Sequence, residues 1–172
     1  TSLSRLCSAL AVAAAIVLSA AVAGCGFQLR GDAPMGLKSI HVSTAGGSAV
    51  ATEVRRRLAG GPTKLSPTLK DAEAHLRITS ETPEKSIQTL TGSGRVYEYL
   101  LRLRVEYEVT DAAAKPIVAP TSLEVRRNLT YSETAPLAKE AEEAQLYVDM
   151  RQEAAAIILR RIAVAAGGGP AR

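Results

Sequence analysis

Residues 97–109, YEYLLRLRVEYEV, alternate with period two over their whole length. Tyr97, Tyr99, Leu101, Leu103, Val105, Tyr107 and Val109 fall on one side; Glu98, Leu100, Arg102, Arg104, Glu106 and Glu108 fall on the other. Successive strand side chains point to opposite faces, so this pattern predicts a strand that is dry on one face and wet on the other. The dry face must be covered by another layer, while the wet face must meet water or something water-filled. That requirement excludes a helical bundle and a sheet buried on both sides.

The flanking segments fit the same demand. Leu37–Thr44 reads as a short strand with Ile40 and Val42 on one face. Ser48 is placed to cap a helix in which Val50, Ala51, Val54 and Leu58 recur at helical spacing, and Gly60-Gly61-Pro62 stops it. Arg55, Arg56 and Arg57 are expected mostly on its wet side and last turn, where cations suit the helix dipole. Ala74, Leu76 and Ile78 alternate with His75, Arg77 and Thr79 as another strand, followed by a less regular run to Leu90 and turn residues at Thr91–Gly94. After a Pro-containing connection at Lys115–Pro120, Leu123, Val125, Leu129 and Tyr131 oppose Glu124, Arg126, Asn128 and Thr130. Arg127 interrupts that dry face, and a bulge or register shift is expected there. Pro136 opens a long helix whose apolar stripe is Tyr147, Met150, Ala154, Ile157, Ile158 and Ile162.

The order β-α-β-β-β-α predicts an α+β fold, a two-layer sandwich with a mixed, roughly four-stranded sheet and both helices on one face. Residues 37–165 are expected to form this domain and 166–172 a disordered tail.

The N-terminal region has a different character. Leu6–Ala23 carries no charge, follows Arg5 and is built largely from alanine, which fits a signal peptide better than a spanning helix. Val22-Ala23-Gly24-Cys25 resembles the bacterial lipobox. That resemblance implies a leader of residues 1–24, a cut before Cys25, and a diacylglyceryl group and an N-acyl chain on that cysteine. One acyl chain holds a protein only marginally, but several anchor it stably. Residues 25–36 then form an acylated tether, and Gly26, in place of the aspartate associated with inner-membrane retention, favours the outer membrane.

Other chemistry is sparse. Cys7 and Cys25 are the only cysteines, and His41 and His75 have no further ligand at a metal spacing, so no metal site and no thiol nucleophile are expected. No hydrolase, phosphate-loop, dinucleotide or zinc-protease motif is present. Glu106 and Glu108 share a strand face with Arg102 and Arg104, which suits solvated ion pairs rather than acid–base catalysis. A formal charge of +4 in short clusters, with no Trp and one Phe, argues against nucleic acid. The chain is expected to be no enzyme and to need no cofactor beyond its acyl groups.

Cys25–Gly31 (CGFQLRG), the alternating strand at 96–109 and Leu137-Ala138-Lys139 occur in this order, and together they resemble the LPS-assembly lipoprotein family LptE, also called RlpB. The resemblance covers residues 25 to about 165. It implies an outer-membrane lipoprotein that sits as a plug inside the LptD β-barrel translocon, helps that barrel assemble, and assists lipopolysaccharide insertion into the outer leaflet. It also implies a lipopolysaccharide contact at Lys139, before or at the start of the last helix. A second basic residue belongs in the hairpin turn, where this chain has Gly92; Arg95 is close enough to substitute. Phe27, Leu29 and Arg30 are expected to pack the tether against the domain or the barrel. The competing reading is a lipid-binding auxiliary lipoprotein of an inner-membrane transporter, which requires a deep apolar pocket between sheet and helices.

Overall fold

The computed structural model describes residues 35–167. The leader, most of the tether (including Cys25, Phe27, Leu29 and Arg30) and all but Ala166 and Gly167 of the tail lie outside the described residues. The elements are β1 (Ser39–Thr44), α1 (Ala49–Ala59), β2 (Lys64–Leu65), β3 (Ala74–Leu90), β4 (Val96–Asp111), β5 (Pro116–Thr130) and α2 (Pro136–Ala165). They form one five-stranded sheet in the order β2-β1-β3-β4-β5, parallel across β2-β1-β3 and antiparallel across β3-β4-β5. The class is the expected α+β. The sheet gains a strand because Lys64 and Leu65, after the glycine stop of α1, pair with Ser39 and Ile40 at its edge. Two residues carry no period, so no sequence pattern could announce β2.

Helix α1 forms where its cap and apolar spacing predict. The Ser48 hydroxyl oxygen accepts the Ala51 N–H at 3.0 Å, and Val50, Ala51, Val54 and Leu58 are buried. Ile40 and Val42 of β1, Ala74, Leu76 and Ile78 of β3, Leu101–Val109 at odd positions of β4, and Leu123, Val125 and Leu129 of β5 meet the two helices in one core. From α2 that core receives Met150, Ala154, Ala155, Ile158, Leu159, Ile162 and Ala163. Ile157 and Tyr147 of the expected stripe are only half-buried at its margin. Met35, the first described residue, is already buried in the same core.

The run from Thr79 to Leu90 is strand, not an irregular stretch. It looks irregular because the pairing slips between Ile78 and Ser80, and the parity of the strand inverts there. Below the slip, even residues of β3 face the helices, as Ile78 opposite Tyr107 does. Above it odd residues do: Glu81, Pro83, Lys85 and Ile87 oppose Val105, Leu103, Leu101 and Tyr99. Pro83 is tolerated because β1 pairs with β3 only as far as Ile78, leaving the upper part of β3 an edge.

Two further expectations are corrected. The β4–β5 connection is shorter than expected. The Asp111 carboxylate accepts the N–H groups of Ala113 and Lys115 at 2.8 Å each, Ala114 takes φ 63°, and the strand resumes at Pro116. Pro120 falls where the β4–β5 register slips, again on an edge strand. No shift occurs at Arg127, which stays in register opposite Leu101 and meets Glu153 of α2 in an ion pair. A charge on the dry face is stable there because a counter-charge descends from the covering helix.

Candidate functional site

Each end of the sheet presents different chemistry. At the distal end, β3 and β4 project as a hairpin closed by Thr91–Gly94. Gly94 sits at φ 79°, where a side chain would be strained, and the turn closes through Thr91 N–H to Arg95 O at 2.7 Å. Arg95 leaves this turn and donates to the Glu133 carboxylate at 3.0 Å, linking the hairpin to the β5–α2 connection. Lys139 lies in the first turns of α2 and pairs with Glu142 at 2.7 Å. Both predicted contacts therefore belong to one end of the molecule, bridged by the Glu133 segment. Gly92, the position expected to be basic, is in the same turn with open space around it.

Around these two cations are groups that sequence reading missed. Lys85 of β3 donates to Glu143 of α2 at 2.5 Å and sits 4.3 Å from the centre of the Tyr99 ring. Its ammonium is held above the usual lysine range chiefly by the Glu143 hydrogen bond. Tyr99 meets Tyr131 edge to face at 5.5 Å. Ile87, Leu90, Tyr97 and Leu137 are exposed in the same region, Leu137 by 78%. The N-cap position of α2 is Ala135, which has no side-chain capping bond, and Pro136 follows it. The end thus combines three cations, an uncapped helix N-terminus and exposed apolar side chains. An anion with apolar chains is the kind of ligand such a surface can hold.

The cations are not free, but the partner of Arg95 holds it weakly. The Arg95–Glu133 pair has side chains 66% and 54% exposed, and such pairs contribute about 0–1 kcal/mol. A phosphate, with more charge and more acceptor oxygens, can displace a carboxylate of that kind.

The open face of the sheet is polar except for Leu100 of β4. None of its pairs runs along β4 as the sequence suggested: Arg77–Glu108 at 3.4 Å, Arg102–Glu84 at 3.9 Å and Arg104–Glu124 at 3.0 Å cross between strands, and Arg126 meets the same Glu124 along β5 at 2.5 Å. The two guanidinium groups hold the Glu124 carboxyl below its usual range, Arg126 more than Arg104. Glu106 takes part in no ion pair among the described residues and instead lines a cleft of about 460 Å³ with Thr79, Glu108, Thr121 and Ser122. His41 and His75 stand in register on β1 and β3 with rings 5.4 Å apart. Burial first, then His41 and Arg77, lowers the His75 pKa. Among the described residues no three metal-ligating side chains converge.

The expected arginine cluster divides. Arg56 is exposed and pairs with Glu53 at 2.6 Å. Arg55 and Arg57 are half-buried, donating to the carbonyls of Val42 at 3.0 Å and Gln152 at 3.2 Å, so they bind α1 to β1 and to α2. The most connected carboxylate is Glu81. One of its oxygens accepts the Ser48 hydroxyl at 2.6 Å and the Val50 N–H at 3.0 Å, while the other accepts Arg151 of α2 at 3.3 Å.

Comparison with known proteins accords with this architecture. The family profile described as LptE, lipopolysaccharide-assembly, matches residues 37–162. The LPS-assembly lipoprotein LptE of Pectobacterium atrosepticum is 28% identical over 155 residues, covering 86% of this chain and 83% of that protein. The solution structure of lipoprotein B from Nitrosomonas europaea, 30% identical, covers 80% of this chain and 90% of its own with a TM-score of 0.69. The crystal structure of rare lipoprotein B from Shewanella oneidensis, 28% identical, covers 73% and 94% with a TM-score of 0.65.

Proposed function

The chain belongs to the LptE lipopolysaccharide-assembly family, and from that premise we propose that it is an outer-membrane lipoprotein that plugs and helps assemble an LptD-type β-barrel and assists insertion of lipopolysaccharide into the outer leaflet. In this reading Cys25 carries the diacylglyceryl and N-acyl anchor, and Phe27, Leu29 and Arg30 seat the tether. The role is binding and assembly, not catalysis.

The observation that carries the proposal is the one-sided sheet. Its helices cover only one face, and the other is laid out in cross-strand ion pairs that are stable in water. A wide transmembrane barrel has a polar lumen, and such a face can enter it without losing hydration that its pairs do not replace. The reading as a transporter auxiliary needs an apolar pocket between sheet and helices. That space is filled by the side chains of one continuous core.

Lipopolysaccharide presents phosphates and acyl chains together. The distal end offers Arg95, Lys139 and the uncapped start of α2 to the first, and Ile87, Tyr97 and Leu137 to the second. Lys139→Asp is expected to weaken lipopolysaccharide binding by about tenfold or more, the range of one lost charge-assisted hydrogen bond, without changing the unfolding midpoint. Unchanged binding would remove Lys139 from the site. Purification from detergent-extracted outer membranes is expected to recover a large β-barrel protein with this chain; recovery of the chain alone would overturn the plug assignment.

A further inference from the structure

The opposite end of the sheet, where β1, β2 and β3 begin and β4 turns into β5, presents lysines that enter no ion pair among the described residues. Lys38 and Lys64 lie side by side, the Lys64 N–H donating to the Lys38 carbonyl at 2.9 Å. Lys70 belongs to the turn whose next residue, Asp71, accepts the Ser39 hydroxyl at 3.2 Å. Lys115 closes the β4–β5 turn. All four are exposed, and none enters any ion pair among the described residues. The lysines of the distal half, Lys85 and Lys139, are both paired.

Carboxylates are present at this end too, but they are engaged by neighbouring N–H and hydroxyl groups. Glu73 accepts the Lys38 N–H at 2.7 Å, Asp71 the Thr68 hydroxyl at 2.5 Å, and Asp111 the two amides of its own turn. Acidic side chains held in these local hydrogen bonds leave the longer lysine stems free to extend into solvent. Two large apolar side chains stand beside them: Leu65, next to Lys64, is 39% exposed, and Leu69, next to Lys70, is 51% exposed. Lysine ammonium groups alternating with leucines fit a surface that is anionic at its head groups and apolar just beneath.

We infer that this end docks on the anionic phospholipid surface of the leaflet that holds the protein's own anchor. The choice of leaflet, and not the docking itself, rests on Cys25 being acylated. The ten steps from Cys25 to Met35 reach at most about 35 Å, so the anchor keeps β1, and with it Lys38 and Lys64, close to the head groups. The distal hairpin, at the other end of the same strands, is thereby directed away from that leaflet. The anchor supplies attachment, and the lysine end supplies orientation.

The test is amine labelling read by mass spectrometry, on mature protein purified from envelopes and reconstituted in vesicles of phosphatidylcholine alone or with phosphatidylglycerol. Labelling of Lys38, Lys64, Lys70 and Lys115 is expected to fall about fivefold on the phosphatidylglycerol vesicles and to recover in about 0.5 M salt, while Lys85 and Lys139 stay unchanged. Equal labelling on both lipids, whether high or low, overturns the docking. The mass of the Cys25 peptide from the same digest reports the anchor separately. Lipid-dependent protection without acyl groups would leave the docking in place and remove the tether reading.

Discussion

Strands β3 and β4 run as one ladder from base to tip, yet their two halves have different fates. In the lower half, Leu76, Ile78, Leu103, Val105, Tyr107 and Val109 are fully or almost fully buried beneath α1 and α2. In the upper half Tyr97 keeps the alternation of β4 and Ile87 faces the same side, but they are 52% and 56% exposed. The local pattern is the same; the cover is not. No residue of α2 before Met150 is buried, so its first turns are held over the hairpin by Lys85–Glu143 and by Tyr147, whose hydroxyl donates to the Glu84 carbonyl at 2.8 Å. The lower half is held by apolar contact and the upper by polar contact. The upper half is thus free to offer its apolar side chains to a ligand, and Glu81 stands at the boundary.

The contrast is broken most directly by truncation. Leu103→Ala should cost about 2–5 kcal/mol in urea unfolding, whereas Ile87→Ala should stay within about 0.5 kcal/mol. Comparable losses would mean that the hairpin packs as the base does. The boundary itself is tested next. Glu81→Ala removes the added cap of α1 and the partner of Arg151, so a loss of about 2–3 kcal/mol is expected. Glu84→Ala, three residues away on an exposed pair 3.9 Å apart, should cost less than about 1 kcal/mol. If the two variants unfold alike, Glu81 does not join the halves.

The smallest effect lies on the polar face of the base. His75 has a folded pKa below its unfolded value of about 6.5, through burial, His41 and Arg77 in that order. Below that value the unfolded chain binds more protons. The contribution to stability is therefore present above about pH 6.5 and is lost as pH falls through the folded pKa. Urea midpoints should decline between about pH 7 and 5, and His75→Gln should flatten part of that slope. An identical slope in the variant would refute the assignment.

Much of this was legible in residue order. The Ser48 cap with Val50, Val54 and Leu58 marked α1, and the odd residues of β4 marked the dry face. The continuation of β3 was illegible because the slip at Ile78/Ser80 inverts parity, and a window that spans it averages both faces. Arg127 looked like an error in a strand only because Glu153, far along the chain, could not be assigned to it. Arg95 and Lys139 were named from a resemblance; that they share one end depends on β5 returning the chain to the hairpin tip. Lys85 could not be singled out, since its partners come from β4 and α2.

Residue order by itself determined which side chains share a face and where α1 begins and stops, because periodicity and capping act over a few residues. Only tertiary structure decided how far the cover extends along the hairpin, which charges find partners, and which end keeps its lysines unpaired. Those outcomes depend on where a helix that begins at Pro136 comes to rest on strands laid down some 40 residues earlier, about 60 at most, and no local pattern encodes that position.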